Sequence, residues 1–276
     1  MGSCIYCNAP AGALRRSHAA CRASFKNGAS RIVTLIENAG CGSTNTSELV
    51  AEIEMTAACS YIDNLKLRAL LISGWEKAVT KAFEDGVISN EKETALGELI
   101  KHFELSQGEL DKNGSYTKLV KGALLRDVLE GEVPARVSVV TGCPVNLQKG
   151  EKLVWMFGDV RYRTFKTVTH NVGRSHGGSV RIAKGVYYRT GAFESRRINL
   201  SEQVIDTGIL VATNRHIYFA GDAKKFRVQY DRIICFEPFT DGIGIQRDVE
   251  TAKPEFFATG DGWFTYNLLT NLAQLG

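Results

Sequence analysis

Apolar side chains recur at helical spacing through the first half of the chain and alternate at strand spacing through the second. Leu49, Ile53, Met55, Ala57 and Ile62 form one apolar stripe. Leu67, Leu70, Leu71, Trp75, Val79 and Phe83 form another at i, i+3, i+4 spacing, and residues 46–130 contain no proline. Asp85-Gly86 interrupts that pattern. Ser89, with Glu91 and Glu93 in the following turn, restarts a helix whose apolar face is Leu96, Leu99, Ile100 and Phe103. Ser106 and Glu109 have capping-box spacing for a further short helix, and Gly131–Pro134 reads as a linker. From Arg136 onward the runs shorten and fill with Val, Ile, Thr, Tyr and Phe. Val160–His170, Ser179–Ile182, Val186–Arg189, Gly208–Ala212, His216–Phe219, Phe226–Tyr230, Ile233–Phe236 and Ile243–Arg247 read as strands separated by Gly or Asp turns. Trp263, Phe264, Leu268, Leu269 and Leu272 then give a closing amphipathic helix, with Asp261 as its N-cap. The expected class is α+β in three regions: residues 1–45, a helical bundle over 46–130, and over 136–276 a small antiparallel β-barrel capped by the terminal helix.

The first region carries its own chemistry. Cys4-x2-Cys7 and His18-x2-Cys21 are two close ligand pairs ten residues apart. Zinc takes four N/S ligands in a tetrahedron, and a two-residue gap lets each pair reach the ion from one turn. Ser17 and the run Ala19–Phe25 set the second pair at the start of a helix, as in a finger of treble-clef or ribbon type. So short a region, with few large apolar side chains, needs a structural metal for stability. Four protein ligands leave no open position for catalysis. Cys41 stands as an alternative fourth ligand if His18 points away.

Composition bounds the rest. The 276 residues suffice for two or three domains, and a formal net charge of +4 is too mild to imply a nucleic-acid partner. No apolar run is long enough to span a membrane. The start, MGSCIYCNAP, has no apolar core of the signal-peptide kind, and its Gly2 is followed by Tyr6 where myristoylation calls for Ser or Thr. The expected location is a reducing cytoplasm with free thiols, with association to a membrane surface left open.

Two resemblances sharpen the expectation. Gly208, Leu210, Thr213, Asn214, Arg215, Ile217 and Phe219, then Ile233-Ile234, Asp241-Gly242-Ile243 and Pro254–Phe257, resemble GRAM and bacterial pleckstrin-homology-like (PH-like) domains over roughly residues 140–275. That resemblance implies a barrel used as a binding platform. Asp85-Gly86-x-Ile88-Ser89, with Glu91, Glu93, Leu96, Leu99 and Phe103, resembles the helix connection of TerB-like domains. It implies a small bundle, with Asp85 and Glu93 either capping helices or touching a metal.

Between Val160 and Ile198 nine Lys or Arg face a single acid, Glu194. Arg161, Arg163, Lys166, Arg174 and Arg181 are the candidate anion- or partner-binding set, since arginine forks and loop amides hold phosphate. A solvated outer face reads equally from the same pattern. No nucleophile–base set or carboxylate pair emerges, so the chain reads as a non-enzymatic adaptor or sensor for a protein partner, with no small-molecule substrate. The resemblances imply a bacterial stress-response or phage-defence setting. Binding of an anionic membrane or nucleic acid through residues 160–198 is the alternative.

Overall fold

The computed structural model describes residues 2–12, 15–42, 46–84, 86–137, 143–164, 179–183, 186–189, 204–249 and 252–275, with 46, 179–183 and 186–189 as backbone alone. The chain divides into two units, Met1–Ala123 and Leu124–Gly276.

The first unit opens with a short hairpin, β1 (Gly2–Ser3) and β2 (Pro10–Gly12), followed by α1 (Ala19–Ala39). Sequence suggests helix only over the first turns of α1, yet it runs for 21 residues because Ile32, Ile36 and Ala39 continue its buried side. Helices α2 (Thr46–Cys59), α3 (Asn64–Ala82), α4 (Asn90–His102) and α5 (Gln107–Leu110) pack with it around Ile36, Ile53, Trp75, Ile88, Leu96 and Leu110. The helix starts follow their caps. Asp63 accepts from the Lys66 amide at 2.7 Å, Ser89 accepts from the Lys92 amide at 3.3 Å, and Ser106 with Glu109 forms a capping box. Trp75 is fully buried and donates its indole N–H to the Leu96 carbonyl at 3.1 Å, which joins α3 to α4. Met55, expected on the apolar stripe, is 63% exposed on α2. Asp85 lies outside the described residues, while Glu93 sits in the first turn of α4.

The division between units falls within α6 (Ser115–Leu129). In the second unit, Leu124, Leu125 and Val128 share a core with β3 (Leu153–Thr164), β6 (Val204–Thr213), β7 (His216–Gly221), β8 (Lys225–Gln229), β10 (Gly242–Arg247), β11 (Glu255–Ala258) and α7 (Gly262–Leu275). With β9 (Ile233–Pro238), these strands make a seven-stranded antiparallel sheet in the order β8-β7-β6-β3-β11-β10-β9. Helix α7 starts at Asp261, which accepts from the Phe264 amide at 3.1 Å, and it packs against β9 and β10.

Two features of this sheet depart from the expected barrel. Among the described residues, strands β4 (Ser179–Ala183) and β5 (Val186–Arg189) pair only with each other and are not part of the seven-stranded sheet. Among the described residues β8 and β9 are unpaired edges, and no barrel closure is made. The long strand β3 is central, between β6 and β11, and its start lies before the expected Val160. The strand passes through Gly158 and Asp159 as a bulge, with Asp159 at φ 53°.

Candidate metal centre

Cys4 lies just after β1, Cys7 in the turn of the hairpin, and His18 and Cys21 at the start of α1. Their ligand atoms all fall within 4.8 Å of one another. The turn is shaped by backbone bonds: the Cys4 amide donates to the Ala9 carbonyl at 2.8 Å, and the Asn8 amide donates to the Cys4 carbonyl at 2.9 Å. Asn8 takes the left-handed conformation, φ 59°, that closes so tight a knuckle.

The histidine is oriented by a second contact. His18 Nε2 lies 3.0 Å from the Pro10 carbonyl oxygen, which can only accept, so Nε2 carries the proton. That leaves the Nδ1 lone pair facing Cys7 Sγ at 3.4 Å and Cys21 Sγ at 3.7 Å. A tetrahedral ion with N and S ligands at ordinary zinc distances has an N–S edge of about 3.6 Å. The imidazole nitrogen and these two sulfurs therefore already stand at the spacing of a coordination shell, and Pro10 supplies the outer hydrogen bond that a ligating histidine uses to fix its ring.

The electrostatics favour the thiolate form at Cys4. Burial would raise the Cys4 pKa, but amide donors from Cys7, His18 and Tyr6, together with the Cys7 side chain, bring it down to about 6. Burial and the neighbouring thiols push Cys21 up, against the Tyr61 hydroxyl. The Pro10 carbonyl, then Cys7, raises His18. A metal would replace the protons for which these groups compete. Cys41 is not part of the cluster: its sulfur lies 4.0 Å from the Ala78 carbonyl oxygen within the bundle, so the alternative fourth ligand gives way to His18.

No family model matches the chain, and no curated protein matches it.

The other expected site residues are less gathered. Arg161 and Arg163 lie on β3 opposite Ala258 and Phe256 of β11; Arg161 is exposed, and the Arg163 guanidinium sits 5.9 Å from the centre of the Phe256 ring. Between them Tyr162 turns inward among Phe219, Phe226 and Phe257, as strand alternation requires. Lys166 and Arg174 fall outside the described residues, and Arg181 is placed by its backbone alone, paired with Tyr187. Cys235 is exposed on β9. No helix among the described residues is long and apolar enough to cross a membrane.

Sequence reading missed one polar centre. Glu151, its side chain fully buried, accepts from Thr213 Oγ1 at 2.5 Å, Tyr218 Oη at 2.6 Å, the Gln148 amide at 2.7 Å and His216 Nδ1 at 2.9 Å. Burial opposes its ionisation, but these donors outweigh it and hold the carboxyl below its usual pKa. His216, the first residue of the strand expected over His216–Phe219, is the buried first residue of β7. The only available signal was its pattern, Thr213-x-x-His216-x-Tyr218, which places three polar groups around one strand turn.

Proposed function

We propose that the chain is a non-enzymatic adaptor or sensor: a helical unit stapled by zinc, joined to a PH-like unit that recognises a protein partner. Zinc is the ion this donor set favours, because three thiolates and one imidazole gathered within 4.8 Å of one another suit it and fill its shell. Its role is structural. The consecutive meanders β6-β7-β8 and β9-β10-β11, followed by a terminal helix against the sheet, support the PH-like reading. The same resemblances support a bacterial stress-response or phage-defence setting, and reduced cysteine ligands fit a cytoplasmic one.

Edge strand β9 carries the partner reading. Among the described residues it pairs only with β10, and it presents Ile234, 66% exposed, beside exposed Cys235. Glu237 and Pro238 guard the far end of β9, but residues 233–235 carry no charge, so the first half of the edge presents an outward apolar side chain that suits addition of a partner's strand. The test is affinity capture by the tagged chain in its host cells, beside an Ile234→Asp variant of unchanged melting temperature. A specific protein captured by the parent and lost by the variant supports the reading. Equal capture by both moves the surface elsewhere, and no specific capture removes the adaptor role.

A further inference from the structure

The first 36 residues contain no aspartate or glutamate, yet they carry Arg15, Arg16, Arg22, Lys26 and Arg31. All five are exposed. Three thiolates on a divalent ion would leave the metal cluster with a single negative charge, so the cations dominate the charge of this segment.

Helix α1 sorts its residues by side. Gly28, Ile32, Ile36 and Ala39 face inward. Ala23, Lys26, Asn27 and Ser30 are exposed and, at 100° per residue, fall on the opposite side, with exposed Arg22 on the flank next to Lys26. Arg22 bonds the Ser17 hydroxyl at 2.9 Å, a neutral partner that leaves its charge uncompensated. Arg31 contributes least, because Glu52 pairs with it at 2.6 Å.

We infer that this side of α1, with Arg15 and Arg16 at its N-terminal end, binds the phosphate backbone of nucleic acid. Cations next to small side chains such as Ala23 and Ser30 let a phosphate chain approach closely, and Asn27 and Ser30 can donate hydrogen bonds to phosphate and sugar. Counterion release then drives association. A membrane surface fits less well, because helices that lie in the interface bury an apolar side and the exposed side of α1 carries no large apolar residue. This inference is independent of the protein partner proposed for β9.

The test is fluorescence anisotropy of the zinc-loaded full chain with labelled duplex DNA and duplex RNA of mixed sequence, across a salt series. Four phosphate contacts predict a log–log slope of about −3.6 for DNA. An Arg22→Ala/Lys26→Ala variant should reduce the slope by about 2 and weaken binding about tenfold or more at low salt. Its metal content and melting temperature should match the parent, which separates lost contacts from lost fold. Arg161→Ala/Arg163→Ala should bind as the parent does. Absence of salt-dependent binding to both duplexes, or unchanged binding by the α1 variant, overturns the inference. So does capture by anionic phosphatidylserine vesicles without nucleic-acid binding.

Discussion

The Tyr61 hydroxyl lies 4.0 Å from the Cys21 sulfur, so the Cys/His cluster at the head of α1 meets the turn between α2 and α3. Tyr61 holds a left-handed backbone, φ 57°, and its ring belongs to an aromatic group with Tyr6 and Phe25: the Tyr6 ring centre lies 6.2 Å from that of Tyr61 and 5.1 Å from that of Phe25. Ser24 adds a hydrogen bond to the Cys59 carbonyl at 3.3 Å. The cluster thus fixes a corner of the bundle as well as its own loop.

Metal removal should loosen that corner while the sheet survives. Structural zinc in isolated fingers is worth about 10–16 kcal/mol, but here much of the unit's core, around Trp75 and Ile36, is built without the ligands. Chelation, or a Cys4→Ser/Cys7→Ser variant, should abolish stoichiometric zinc and expose amides 2–25 to hydrogen exchange. Amides of β6 and β7 should stay protected. Cobalt substitution should give the charge-transfer and ligand-field bands of a tetrahedral S3N site. Full protection of residues 2–25 in metal-free protein would contradict a structural role.

Glu151 should make the second unit acid-sensitive. Its pKa is depressed in the folded chain from a usual value of 4.5, so its contribution is present above that pH and lost as pH falls through the lower folded value. Glu151→Gln keeps the shape but faces donors with an amide group, and should cost about 1–3 kcal/mol. Urea melts between pH 3 and 7 should show the variant less stable at neutral pH and the gap closing toward acid. A constant gap would mean that the carboxylate's charge is not what the four donors recognise.

Glu255 offers a contrast between two of its partners. Tyr162 donates to it at 2.5 Å, and Arg247 makes a two-pronged pair at 2.5 and 2.7 Å while stacking 4.7 Å over Phe226. Tyr162→Phe leaves the carboxylate paired and should cost about 1 kcal/mol. Arg247→Met leaves it without its cation and with only the Tyr162 hydroxyl of the two partners, 8% of the Glu255 side chain being exposed, and should cost about 3 kcal/mol. That is the low end for breaking a buried pair, because the arginine is 26% exposed. Equilibrium melts that rank the two variants in the reverse order would show that the phenol, not the guanidinium, sustains the buried charge.

Local signals made part of this legible in sequence. The two ligand pairs, the caps at Ser89, Ser106 and Asp261, and the alternation around Tyr162 each act within a few residues, where spacing alone carries the physics. The Glu151 centre was invisible because its side-chain partners lie 62 to 67 residues away and meet it only through the β3–β6–β7 register. The start of β3 at Leu153, before the expected Val160, was hidden because the bulge at Gly158-Asp159 breaks the alternation inside one strand. Met55 shows the limit of periodicity, since a stripe gives a direction but not its width.

Gly74 tests how closely α1 and α3 are packed. A Cβ added there would fall 2.7 Å from Ile36 Cβ and 3.0 Å from the Val33 carbonyl oxygen. Neither atom is the far end of a flexible chain, so the helices themselves would have to part. Gly74→Ala gains about 1 kcal/mol in helix propensity, while overpacking of this kind costs about 1–3 kcal/mol. The close backbone contact puts the cost at the upper end, and the net expectation is a loss of about 1–2 kcal/mol. Ile36→Val, placed in the same variant, leaves Cβ where it is and removes only an outer methyl, so it should not rescue. Thermal melts showing Gly74→Ala as stable as the parent would mean that α1 shifts away from α3 without cost.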